Sequence, residues 1–159
     1  MEKNLIEDFR NSLKCGKIEV RFLEFLNQEE YEELINVVDF NFVRGEDSFI
    51  RAVLTGKPYM WHIYCQEDYA HMDKIEGFLD KYKRVIKGFA TEEFLVNMGK
   101  VFLKDYNFRK ENSLELGKES YLYFFENLTE IEKNNSIFRD FLIQKCNLIN
   151  KLKDFIEKY

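Results

Sequence analysis

The apolar positions of the chain change period along its length. Leu5, Ile6, Phe9 and Leu13 recur at helical spacing, so Met1 to Lys14 is expected to form an amphipathic helix, capped by Asn4 or an earlier residue and ended by Cys15-Gly16. KIEVRFLEF then alternates and is rich in β formers, which predicts a strand over Ile18 to Leu23. Asn27 or Gln28 opens a short acidic helix through Asn36, with Tyr31, Leu34 and Ile35 inward and Glu29, Glu30, Glu32 and Glu33 in water. DFNFV, over 39–43, is short, aromatic and β-branched, as a buried strand requires. Arg44-Gly45 turns the chain, and Gly45 lets the backbone bend or approach a ligand where a Cβ would obstruct it. Phe49, Ala52 and Val53, with Ile50 beside them, mark a second helix, which Thr55-Gly56 closes with a glycine at the expected C-terminal position. PYMWHIY is the next strand, its proline at the tolerated first position.

A strand, crossover helix and strand of this length make a right-handed parallel βαβ unit. Both strands of such a unit end at one edge of the sheet, so Arg44 to Ser48 and Tyr64 to Gln66 should face one crevice, with the end of the Ile18–Leu23 strand beside them. From His71 the period becomes helical and stays so. Met72, Ile75, Phe78, Leu79 and Tyr82 share one helix face, and Glu92 to Leu103, Leu116 to Asn127 and Ser136 to Tyr159 are further helices. The last is expected to be capped by Asn134, Asn135 or Ser136, and the connectors fall at Lys104 to Gly117 and Thr129 to Asn135. The chain therefore reads as α/β: a Rossmann-like parallel sheet over residues 1–90 followed by C-terminal α-helices over 91–159, packed as one structural domain. Three strands are few for a doubly wound sheet, so this is either a small α/β domain or the end of a larger one.

Composition narrows the function classes. At 45% hydrophobic and 16% aromatic residues, the 159-residue chain can bury a sizeable core. A net charge of -5 gives no general attraction to nucleic acid. Cys15, Cys65 and Cys146 are odd in number and widely spaced, which argues against disulfides or a zinc site, and Cys65 reads as a small buried hydrophobe. No secretory signal or apolar run of spanning length is apparent, so a soluble, cytoplasmic protein that binds no membrane is expected. His62 reads as a hydrogen-bonded core histidine, and His71, at a helix start, as a cap or a ligand contact; no metal-ligand cluster, Walker loop, GxGxxG or GxSxG is present.

The opening amides of the helix after Gly45 suit phosphate. Glu46 would repel a diphosphate and fits sugar or ribose hydroxyls instead, while Asp47 offers a main-chain donor and Ser48 a donor and a hydroxyl. Phe25 and Gln28, just past the first strand, could stack on and read a pyrimidine, with Tyr31 as a second wall, and the Tyr64 hydroxyl could reach a phosphate. Without a ligand, the acids and Ser48 would simply stabilise a first helical turn, and the aromatics would be core.

FLEFLNQEEYEEL, FVRGEDSFIRA, GKPYMWHIYCQ and HMDKIEGFLDKY follow one another between about Val20 and Tyr82. In that order and spacing they resemble the EarP family, protein-arginine rhamnosyltransferases that modify elongation factor P. The likeness thins through the C-terminal helices. It implies a glycosyltransferase B fold, of which this chain is similar to part of the nucleotide-sugar-binding C-terminal half. It also implies an inverting transfer of rhamnose from dTDP-β-L-rhamnose to an arginine of elongation factor P, without metal or other cofactor. By that likeness Phe25 and Gln28, with Tyr31 nearby, are similar to the thymine-binding residues. Glu46 resembles the acid needed for donor binding and activity, Asp47 and Ser48 the diphosphate ligands, and Tyr64 the residue at the outer phosphate, with Arg44 and Gly45 in the same motif. Cys65 and Asn27 stand where the family usually has prolines, which loosens a loop without removing a contact group. The family's proposed general base, an aspartate, lies in an N-terminal half that has no counterpart here. The resemblance therefore implies a chain inactive on its own, as a truncated reading frame, an expressed domain or half of a split enzyme. A non-catalytic α/β protein-interaction module derived from this fold is the alternative, whereas a stand-alone hydrolase or phosphatase lacks a nucleophile and base.

Overall fold

The computed structural model describes residues 12–99 and 121–158, so the expected helix through residue 11 and the segment 100–120 lie outside the described residues. Two compact units are present, one ending at Leu34 and the other running from Ile35 to Tyr159.

In the first unit, β1 (Ser12–Cys15) and β2 (Ile18–Arg21) form an antiparallel hairpin, with Ser12 opposite Arg21 and Cys15 opposite Ile18. Gly16 takes a left-handed φ of 62° in the two-residue turn, a conformation that joins twisted antiparallel strands. This corrects two expectations. Leu13 and Lys14 are in a strand, not a helix, and the segment read as the first strand of the parallel sheet pairs antiparallel with its immediate neighbour instead. Alternation identifies a strand but not its partner, and β2 is exposed along its whole length. Helix α1 (Gln28–Val37) starts where expected. The Asn27 side chain accepts from Glu30 N–H at 3.0 Å and the Glu30 carboxylate accepts from Asn27 N–H at 2.8 Å, a reciprocal capping box.

In the second unit, β3 (Asn41–Val43) and β4 (Tyr59–Trp61) are parallel, with Asn41 opposite Tyr59 and Val43 opposite Trp61. Helix α2 (Glu46–Thr55) is the crossover. It buries Phe49, Ala52 and Val53 and leaves Ile50 exposed, and Gly56 closes it at φ 72° with its N–H on Val53 O. The Phe49 ring stacks on Trp61 at 3.9 Å, with Phe78 edge-on at 4.8 Å. Helix α3 (Ala70–Ile86) adds Ile75, Leu79, Tyr82 and Ile86 to this core, and α4 (Glu92–Gly99) adds Phe94 and Met98. Residues 121–126 are helical, followed by α5 (Leu128–Lys145) and α6 (Leu148–Lys158).

The expected connector at Thr129 to Asn135 does not exist, because α5 runs through it. Asn134 and Asn135 are buried inside that helix and cap nothing. The Asn135 carboxamide accepts from the Tyr82 hydroxyl at 2.8 Å and donates to Lys57 O at 2.9 Å, so tertiary partners replace the local backbone bonds that favour a turn. The break comes instead at Cys146 and Asn147, where Asn147 Oδ1 accepts from Asn150 N–H at 3.1 Å to cap α6. The result is a mixed α/β fold, a small parallel sheet with many helices around it. Among the described residues, no helix is long and apolar enough to cross a membrane.

Candidate functional site

The parallel strands end together at Val43 and Trp61, so the residues that follow each emerge at the same edge. Arg44 comes first after β3. Its carbonyl accepts from Trp61 Nε1–H at 2.9 Å, which ties the turn to the neighbouring strand. Its guanidinium carbon lies 4.7 Å from the Tyr64 ring centroid, a cation–π distance. β4 ends three residues before Tyr64, so Tyr64 and Cys65 stand in the loop after the strand and not within it. Cys65 is exposed, which corrects its reading as a buried hydrophobe: the chain has already left the sheet.

Gly45 precedes α2 with φ -71° and ψ 156°, an extended conformation open to any residue. It is not required for the bend, contrary to part of the sequence expectation. A Cβ there would sit 3.8 Å from Tyr64 Cε2, an ordinary contact. With glycine in the N-cap position, the N-cap residue offers no side chain to the opening amides of the helix. Of the two acids in this turn, Asp47 accepts from Arg51 Nε at 2.7 Å, one turn on in the same helix. Glu46 accepts from Lys74 Nζ at 3.2 Å, reaching across to α3. Its carboxyl titrates below the usual value, first because it accepts from its own backbone N–H and then because of Lys74.

The opposite wall of the loop is also fixed. His71 is buried, and its Nδ1 accepts from Gln66 N–H at 3.0 Å, so this histidine holds the chain between Tyr64 and α3 and is not a free cap. Tyr69, just before α3, takes a left-handed φ of 60° unusual for a tyrosine. His62 is half-buried, its backbone N–H on Val43 O at 2.8 Å. Among the described residues, no cluster of three or more His, Cys, Asp or Glu could hold a metal ion.

Arg44, Gly45, Glu46, Asp47, Ser48 and Tyr64 are thus gathered at one sheet edge, where Arg44 lies over the Tyr64 ring and Arg51 and Lys74 pair with the two carboxylates. Phe25, Gln28 and Tyr31 belong to the first unit. Phe25 is 99% exposed between β2 and α1, the Gln28 amide donates to Glu32 at 3.3 Å, and Tyr31 is half-buried on α1. Lys74 escaped the sequence reading because scattered lysines look like a solvated face and no periodicity links positions 28 residues apart.

Comparison with known proteins adds four findings. The family model described as Elongation-Factor P (EF-P) rhamnosyltransferase EarP matches residues 2–157. A protein-arginine rhamnosyltransferase of Pseudomonas putida is 47% identical over 68 residues, which is 43% of this chain and 18% of that protein. One from Neisseria meningitidis is 44% identical over 71 residues, or 45% of this chain and 18% of the relative. A solved structure reported as the structural basis for EarP-mediated arginine glycosylation of translation elongation factor EF-P superposes with a TM-score of 0.71 at 23% identity. It covers 93% of this chain and 43% of that one, a likeness of fold that agrees with the expected part of a glycosyltransferase B architecture. The chain spans less than half the length of the proteins it matches, but the family model covers it almost from end to end, and it belongs to the EarP family of elongation-factor P rhamnosyltransferases.

Proposed function

We propose that this chain is the donor-binding part of an inverting glycosyltransferase that moves rhamnose from dTDP-β-L-rhamnose to an arginine of elongation factor P. The observation that carries the reading is the start of α2, with glycine at its N-cap, beside Arg44 and Tyr64, in a chain whose family model spans residues 2–157. In this reading the amides of Asp47 and Ser48, the Ser48 hydroxyl and the Tyr64 hydroxyl bind the diphosphate, and Arg44 and Gly45 shape the turn beneath it. Glu46 accepts from sugar hydroxyls. Phe25, Gln28 and Tyr31 bind the thymine, with stacking worth roughly 1–3 kcal/mol.

During transfer, a guanidine nitrogen bonds to the anomeric carbon as the bond from that carbon to the diphosphate oxygen breaks. The negative charge that collects on dTDP is met by preorganised amides and the Arg44 cation. The acceptor nitrogen must lose a proton to a base within hydrogen-bond reach. No residue of this chain is assigned that role, so no turnover by the chain alone is expected, and the protein is cytoplasmic in this reading.

Calorimetric titration with dTDP tests it. Binding that weakens in Glu46→Ala with dTDP-rhamnose and in Phe25→Ala with dTDP supports the reading, and no binding up to millimolar nucleotide refutes it. A second reading, a non-catalytic protein-interaction module, draws on the exposed Leu152, Phe155 and Ile156 of α6 and predicts no nucleotide affinity.

A further inference from the structure

The two acids that open α2 are held in different ways. Asp47 pairs with Arg51 four residues later, a pairing that braces many helices without any ligand. The partner of Glu46 comes from a different helix, 28 residues on. The lysine that makes this contact precedes Ile75, which is fully buried, and follows His71, which is buried and bonded to Gln66, so the backbone that carries it is anchored. Lys74 and Glu46 side chains remain 49% and 57% exposed, and a pair this open contributes little to folding. What the contact does provide is orientation. A glutamate already held has lost its rotamer freedom before a ligand arrives.

The geometry points to Lys74 as the positioning residue for Glu46: brought from α3 to the first residue of α2, its ammonium holds the carboxylate where it accepts hydrogen bonds from the donor's sugar hydroxyls. This rests on the reading of Glu46 as the sugar ligand. After the bond from its own backbone N–H, this contact is the next cause that holds the Glu46 carboxyl below its usual value.

The test titrates dTDP and dTDP-rhamnose into the full chain and its Lys74→Met and Lys74→Arg variants. Lys74→Met should bind dTDP-rhamnose roughly tenfold more weakly, about 1.4 kcal/mol, while dTDP affinity stays within about twofold. Lys74→Arg should restore most of the loss, and carbon-13 NMR of the Glu46 carboxyl should show its pKa rising in Lys74→Met. An equal loss for both ligands overturns the proposal, since it would put Lys74 on the diphosphate. So does an unchanged ratio between the two ligands in a wild type that prefers dTDP-rhamnose, which leaves the donor-binding reading intact. A wild type that binds neither ligand removes both, and the NMR titration then still reports whether Lys74 and Glu46 are coupled.

Discussion

Gly56 and Gly45 bracket the same helix and are glycines for different reasons. Gly56 sits at φ 72°, and a Cβ there would meet Arg139 Nη1 at 2.7 Å and Ser136 Oγ at 3.0 Å. Gly56→Ala should therefore lose about 1–2 kcal/mol from the left-handed backbone alone, with more from the crowding, read as a shift in the urea midpoint. Gly45 has an ordinary backbone and room for a methyl group, so Gly45→Ala should change stability by less than about 0.5 kcal/mol. If its dTDP affinity nevertheless falls, the loss measures how closely the ligand approaches that backbone. Glu46 sets an acid dependence at the same corner. Its folded pKa lies below the ordinary 4.5, so the stabilisation from its contacts is complete above that value and is lost as the pH falls through the folded one. Stability measured from pH 6 down to pH 3 should fall less steeply in Glu46→Gln than in the parent chain. The glycine in the C-terminal position of α2 was legible in the sequence because chirality is a local constraint. The Lys74 contact was not, since nothing local connects α3 to Glu46.

At the scale of elements, α5 separates two adjacent asparagines by what surrounds them. Asn135 joins Tyr82 on α3 to the Lys57 carbonyl before β4. Burial pushes the Tyr82 hydroxyl far above its usual range, so it stays a neutral donor to that amide. Asn135→Leu should cost about 1–3 kcal/mol by stranding that hydroxyl and carbonyl. The Asn134 carboxamide is fully buried with no hydrogen-bond partner among the described residues, so Asn134→Leu should cost less than Asn135→Leu when thermal melts of the two variants are compared. Helix α1 is simpler, because its capping box is built from neighbours in sequence. Asn27→Ala should cost that helix about 1 kcal/mol, visible as reduced helical circular dichroism at moderate urea. Periodicity identified α2 and α3 and their buried faces, since amphipathic spacing is a property of each helix by itself. It placed a connector inside α5 because asparagines resemble turn formers until the buried groups that use them are known.

For the whole molecule, the decisive experiment is stabilisation by the proposed ligand. If dTDP binds the folded chain alone, a concentration one hundred times its Kd should raise the unfolding free energy by about 2.7 kcal/mol, and thermal unfolding with and without nucleotide would reveal it. Family membership and the β3–α2–β4 crossover could be read from the chain before any coordinates, because motif order, side-chain period and glycine chirality are carried by consecutive residues. So could the cluster after Gly45, since a parallel pair must deliver its following residues to one edge. Only the tertiary structure decided that β2 pairs back on β1, that α5 passes uninterrupted through Asn134 and Asn135, and that Lys74 reaches Glu46. Each of those outcomes depends on a partner distant in sequence or on a choice between equally patterned partners, and local chemistry states what a group needs without saying which neighbour will supply it.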